Sequence, residues 1–177
     1  MSLPKPPQPA KLVIGFFLND RTLLPQIADE LSALFGPIEL ASLWLDFDFT
    51  TYYAPEMGAP LYRRMLVFQR LIAQEDLASI KCRTNEIEMR YALDGQRRVN
   101  IDPGYLLFER FVLASGKNFT HRIYIGNQIY ADLTLIYQKG AFQTLPWTYP
   151  DYATNEMFAF LGLVRKHYAA DMAAQKR

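Results

Sequence analysis

Cysteine is nearly absent: Cys82 is the single example. No internal disulfide can form, and a zinc site built from cysteines is excluded with it. Charge of one sign is not in excess either, since 19 basic and 18 acidic residues leave a formal net charge of +1. That removes the electrostatic argument for nucleic acid or an anionic membrane as the principal partner, while leaving room for a local basic patch. No apolar run approaches the roughly 20 residues needed to cross a bilayer, so no membrane partner is expected. The opening MSLPKPPQPAK has prolines at positions 4, 6, 7 and 9 and no apolar stretch. It reads as neither a secretory signal nor an anchor, and a cytoplasmic location is the expectation. Asn118-Phe119-Thr120 matches a glycosylation acceptor but has no secretion signal to support it.

Aromatic residues are plentiful, with 12 Phe, 11 Tyr and 2 Trp making 14% of the chain. So many tyrosines imply half-buried positions whose hydroxyls need partners. Half of the 177 residues are hydrophobic, enough for one domain with a substantial core. The expected organisation is a flexible proline-rich arm over 1–10 and a single α+β domain over 11–177.

Lys11–Leu18 (KLVIGFFL) is an apolar run typical of a strand buried on both faces. Thr22 as N-cap and Pro25 in the first turn start a helix carrying Leu24, Ile27, Leu31 and Leu34, which Gly36-Pro37 stops. From Ile38 to Phe49 the chain reads as extended, Leu43, Leu45, Phe47 and Phe49 alternating with polar positions. A strand over Tyr62–Leu71 precedes a helix over about Glu75–Tyr91, with Leu77, Ile80, Thr84, Ile87 and Tyr91 on one stripe. Asp94-Gly95 makes a turn into a strand at Arg98–Ile101. This strand, helix, strand, strand, helix, strand order predicts a ferredoxin-like βαββαβ core with a mainly antiparallel sheet. Tyr105–Ser115 fits helix or strand equally. Gly126-Asn127-Gln128 then marks a β-hairpin that extends the sheet. Lys139-Gly140 turns into Phe142–Leu145, and a final helix covers about Thr154 to Ala170.

Several strings taken together resemble a prokaryotic family of uncharacterised domains of unknown function. They are KLVIGFF, FGPIE, FDFTTYYAPEMG, RLIAQEDLASIKCRTNEIE, RRVNIDPGYL, HRIYIGNQIYADLTLIYQKG and LPWTYPDY, spread from about Lys11 to Tyr152. The resemblance carries no reaction, cofactor or partner, so it assigns no functional residue.

The candidate site therefore comes from the residues themselves. Arg98, Asn100 and Asp102 alternate with Val99 and Ile101, so their side chains are expected to point one way. A guanidinium beside an amide suits a carboxylate or phosphate. Asp102 would orient Arg98 or accept from Tyr105. The competing reading is a salt-bridge network closing a sheet edge, with Pro103-Gly104 a turn. His121 and Arg122 open the hairpin whose return strand carries Tyr130, Asp132 and Thr134 on one face. His121 with Asp132 is the candidate acid/base pair, set against a purely structural histidine. Ser115-Gly116-Lys117 is a fragment of a phosphate loop without the rest of the motif. Trp147 and Tyr149, stiffened by Pro146 and Pro150, either wall a pocket or form a lid docking the last helix, and the lid is preferred. Asp46 and Asp48 share a strand face and are the candidates for a divalent metal, against a plain solvated row. On the second helix Lys81, Asn85 and Glu88 are expected in solvent, with Glu86 paired to Arg90. Cys82 is expected to be a small boundary residue, and His167 to complement the last helix's C-terminus.

Three functions compete. The first is binding of a small anionic ligand, phosphate- or carboxylate-bearing and with nucleotide-like ones included, on the open sheet face by Arg98, Asn100, Asp102, Tyr105, His121, Arg122, Trp147 and Tyr149. The second is a non-catalytic assembly module, including a homo-oligomer. The third is a metal-dependent hydrolase on the paired Asp46 and Asp48 with Asp132 or His121. The residues do not decide whether the chain is an enzyme, and they imply no cofactor.

Overall fold

The computed structural model describes residues 3–47 and 53–175, with Asp46 by its backbone alone. In it the first apolar run becomes strand β1 (Ala10–Leu18), buried along its whole length. The order continues with α1 (Leu24–Phe35), β2 (Ile38–Ala41), β3 (Leu45–Asp46), α2 (Ala54–Met57), β4 (Tyr62–Ile72) and α3 (Leu77–Arg90). It ends with β5 (Val99–Leu106), β6 (Arg110–Ser115), β7 (Arg122–Gly126), β8 (Ile129–Gln138), β9 (Ala141–Thr144) and α4 (Asn155–Ala174). The fold is α+β. The strands form one sheet in the order β2-β4-β1-β5-β6-β8-β7, with β3 on β4 and β9 on β8, and every pairing among the described residues is antiparallel.

β1 is buried on both sides because both sheet faces are covered. Leu12, Ile14, Phe16 and Leu18 point toward α1 and α3, whose Ile27, Leu31, Leu77 and Ile87 join the same core. Arg90 of α3 and Tyr91, which follows it, bond Glu30 of α1 and tie the two helices together. Arg90 therefore takes Glu30 rather than the expected Glu86. On the other face Lys11 meets Asp171 of α4 at 2.5 Å and Glu39 of β2 at 2.8 Å, both carboxylates facing the one buried ammonium. The Pro9 carbonyl accepts from Tyr168 of α4, and the Gln8 carbonyl from Gln74. At β1 the sheet thus lacks the open face expected for a ligand. Alternation on β1 between apolar residues of both parities already required two covering layers.

Several expected boundaries move. Asp20, not Thr22, caps the turn before α1, accepting from the Thr22 amide at 3.0 Å. Leu43 is 85% exposed and breaks the expected extended run into β2 and β3. Phe49 lies outside the described residues. The undecided 105–115 segment is strand on both sides of a tight connection, Leu107 N–H bonding the Arg110 carbonyl at 2.9 Å. The hairpin at Gly126-Asn127-Gln128 forms as expected, with φ of 51° and 62° at Asn127 and Gln128. His167 lies well before the end of α4 and faces Glu39 at 3.9 Å, so it does not complement that helix terminus.

Pro103-Gly104, expected as a turn, runs straight through β5. The Ile101 N–H points away from β1 to a side chain of α3, so Pro103, two residues on, has its missing donor on that same unpaired edge. Gly104 pairs with Leu113 of β6, and a Cβ on it would lie 2.4 Å from the Val112 carbonyl oxygen. β5 and β6 pair only over Gly104–Leu106 and then part. Gly104→Ala should cost about 1–3 kcal/mol, because the obstructing atom is backbone and cannot rotate away. Urea denaturation checks this, and an unchanged midpoint would mean that the two strands can separate freely.

Candidate charged cleft where the sheet divides

The parting of β5 and β6 leaves the β5 edge at Ile101 without a strand partner. Two side chains of α3 take that place. Glu88 accepts from the Ile101 N–H at 2.7 Å, and Lys81 Nζ donates to the Ile101 carbonyl at 2.6 Å. Both are 6% exposed, so the expectation of a solvated helix face is corrected. A cavity of about 710 Å³ fills the gap. α3 forms its floor through Lys81, Asn85 and Glu88, β5 one flank, the end of β6 the opposite flank, and residues 149–152 the roof.

The β5 flank is a chain of polar contacts. Asn100 donates to Asp102 at 2.7 Å, Lys81 reaches Asp102 at 3.4 Å, and Arg97 donates to the Asn100 side-chain oxygen at 2.8 Å. Arg97 also grips Glu56 of α2 through two bonds of 2.7 Å, the paired geometry that suits a guanidinium. The Glu56 hydrogen bond raises the Arg97 pKa, and the same contact holds the Glu56 carboxyl below its ordinary value. Burial does the reverse to Glu88, raising its pKa above the ordinary 4.5 although Lys81 and the Ile101 N–H pull it back. Carbon-detected NMR titration should therefore give Glu88 a midpoint above 4.5 and Glu56 one below it. Equal midpoints would remove the argument that Glu88 is desolvated.

The roof is anchored by a buried ion pair. Arg63 of β4 is 2% exposed and pairs with Asp151, while its Nη2 donates to the Tyr152 hydroxyl oxygen at 2.5 Å. The Arg63 guanidinium also lies 4.3 Å from the Tyr152 ring centroid. Gly15 lets Tyr152 come this close to the sheet, since a Cβ there would stand 3.1 Å from the tyrosine oxygen. Burial pushes the Tyr152 phenol up to about 12. Arg63 Nε has no hydrogen-bond partner among the described residues. Beside it lies an aromatic wall. Phe17 stacks on Phe47 with centroids 4.3 Å apart, and Tyr53 meets both rings.

The β6 flank is organised by Arg122, opposite Asp132 in the β7–β8 pairing. Its Nε donates to Asp132 at 2.9 Å, Nη1 to the Ser115 hydroxyl at 2.9 Å and the Lys117 carbonyl at 3.0 Å, and Nη2 to the Tyr149 hydroxyl at 2.7 Å. A guanidinium has five N–H donors, so one on Nη2 is left without a partner among the described residues. The Ser115 oxygen also accepts from the Lys117 amide at 3.1 Å.

Of the residues expected at the site, the structure brings Asn100, Asp102, Arg122 and Tyr149 to the cleft. It does not bring Arg98, Tyr105, His121 or Trp147 into the lining. Arg98 precedes β5 and escapes its alternation, pairing with Asp20 at 2.9 Å, and the adjacent Arg97 takes the cleft position. Tyr105 shares a face with Leu12, toward α3, and approaches Gln74 instead of Asp102. His121 meets Asp132 at 3.1 Å and stacks on Trp147 at 4.9 Å, behind the lining. The Trp147 indole donates to the Leu133 carbonyl, which pins this part of the loop to β8. Its continuation, Tyr149 to Tyr152, roofs the cleft, so the preference for a lid over a pocket wall is corrected there. Asp132 lines the cleft but already accepts from Arg122, His121 and Thr134. For the metal candidates, Asp48 and the Asp46 side chain lie outside the described residues, and no cluster of three metal-ligating side chains occurs among the rest. Arg63, Lys81, Glu88 and the aromatic wall were not anticipated. The phosphate-loop fragment Ser115-Gly116-Lys117 lies on the β6 flank.

An α+β protein with a charged cleft at the division of its sheet is the class these features define. The chain belongs to the family described as Domain of unknown function (DUF4416), which matches residues 8–168. No curated protein and no solved structure matches the chain. No helix among the described residues is long and apolar enough to cross a membrane.

Proposed function

We propose that the protein is a cytoplasmic domain that binds a small anionic ligand, bearing a phosphate or carboxylate, in the cleft between β5 and β6. The order β2-β4-β1-β5, with α1 and α3 on one face, supports a ferredoxin-like core to which β6–β9 and α4 are added. Such a core hosts many activities, so the reading rests on the site alone.

One observation carries it: the cleft holds guanidinium hydrogen-bond donors that no acceptor among the described residues receives. Arg63 Nε and one Nη2 hydrogen of Arg122 lack partners among the described residues. Asp132, by contrast, already receives three side chains and Asp102 two. An unpaired buried donor costs about 1–3 kcal/mol, and an acceptor-rich guest removes that cost. The volume, about 710 Å³, falls within the range of small-molecule sites. Thermal-shift measurements with phosphates, pyrophosphate, nucleotides and di- and tricarboxylates test the reading. Stabilisation by at least one anion class, weakened in Lys117→Met, is expected. A flat response across every compound refutes it.

A further inference from the structure

We infer that the occupant of this cleft is mononucleotide-like, a planar ring system joined to one phosphate, with the ring toward the β1–β4 side and the phosphate at the end of β6. The inference rests on the reading of the cleft as an anion site and adds the two-part character of the ligand.

The cleft lies between two halves of a sheet that supply different chemistry. On the β1–β4 side the wall is aromatic: Phe17 and Phe47 lie nearly parallel, 9° apart, and Tyr53 crosses both at 60° and 51°. Phe17 and Phe47 are 2% and 8% exposed and spend their faces on each other, so a ligand ring meets this wall at the half-buried Tyr53, by stacking or edge contact. On the β6 side the groups suit a phosphate. The Ser115 oxygen already accepts from Arg122 Nη1 and the Lys117 amide, which fills both its lone pairs. Its own hydrogen can then only donate. The Arg122 guanidinium has an N–H to spare, and Lys117, whose ammonium is close enough to lower the Glu56 pKa, lines the same cleft. A hydroxyl donor, a guanidinium donor and an ammonium together fit a tetrahedral oxyanion better than a neutral group. Tyr149 stands between the two sides, 49% exposed, its hydroxyl tethered by Arg122 at 2.7 Å. A space of about 710 Å³ is far larger than an inorganic anion needs, and its apolar wall would stay unused by one.

Calorimetric titration of the unaltered full chain with AMP, GMP, ribose 5-phosphate, adenosine and inorganic phosphate separates the two parts. A monophosphate nucleotide should bind at least about tenfold tighter than ribose 5-phosphate and than adenosine, because each lacks one half of the recognition. Lys117→Met should weaken AMP and ribose 5-phosphate about tenfold and leave adenosine unchanged. Tyr53→Leu should weaken AMP and leave ribose 5-phosphate unchanged. Ribose 5-phosphate binding as tightly as the nucleotides would overturn this inference while the anion reading stands. No binding by any phosphate compound or carboxylate would overturn both. The ligand series uses the native chain, so its outcome does not depend on whether a variant folds.

Discussion

Asp151→Ala is expected to lower folding stability by about 3–5 kcal/mol, the largest single effect in this protein. Arg63 is 2% and Asp151 8% exposed, so removing the carboxylate leaves a guanidinium in the interior whose remaining hydrogen-bond partner among the described residues is the Tyr152 hydroxyl. A guanidinium cannot discharge itself by losing a proton at any ordinary pH. Water must enter or the roof must lift, and either change opens the cleft from above. The double variant Arg63→Met, Asp151→Leu should recover most of the loss, since a buried ion pair exchanged for apolar groups of similar size is often neutral or better. Guanidinium chloride denaturation of the three variants reads this directly. A loss under 1 kcal/mol in Asp151→Ala, as for exposed pairs, would show that the pair is solvated.

Lys81→Met is the second large effect, of similar size at neutral pH. The ammonium bonds the Ile101 carbonyl and sits 3.5 Å from Glu88 and 3.4 Å from Asp102. Without it two carboxylates face each other beside a β5 carbonyl that has lost its donor. The pH dependence has a definite sign. Burial already raises the folded-state pKa of Glu88 above 4.5, and Lys81 is the main group opposing that rise. Removing Lys81 raises it further. A carboxyl whose pKa is higher in the folded state binds its proton more tightly there, so stability falls as pH increases from 4.5 through the folded-state value. The variant should approach the wild type in acid and diverge toward neutrality. A constant difference between pH 4 and pH 8 would contradict the account of Glu88 as a buried group facing Lys81.

These two residues also show where the sequence was legible and where it was not. Elements that bury one clean stripe were read well: β1, α3, α4 and the hairpin at Asn127 all lie where hydrophobic spacing and turn chemistry put them. Lys81 and Glu88 were assigned to solvent because charge usually marks an exposed face. Yet Leu77, Lys81, Thr84 and Glu88 follow helical spacing and form one stripe, so the position was readable even though the residue types argued against it. What the sequence could not supply was the unpaired β5 edge that makes those charges useful. Pro103-Gly104 misled for a related reason. Proline usually stops a strand, but here its missing donor faces the gap, and glycine admits the Val112 carbonyl. Arg98 and Arg97 were exchanged because alternation was counted from one residue before β5 begins. Asn100, Asp102 and Arg122 were found because they sit within strands, where parity is reliable, and Tyr149 because Pro146 and Pro150 mark its aromatic loop. Arg63 carried no signal of its own, since its partners Asp151 and Tyr152 lie 88 and 89 residues away in a segment that only the tertiary fold brings back.

The central claim is that a small anion enters between β5 and β6. Amide-resolved NMR during titration with inorganic pyrophosphate and with AMP tests it most directly. The account predicts shifts at Asn100, Ala114, Ser115, Gly116 and Arg122, with AMP extending them to Phe17 and Phe47. Shifts centred instead on the outer edge of β7 at Ile123, or on a separate, smaller groove lined by Arg70 and Arg83, would place the ligand elsewhere and contradict it.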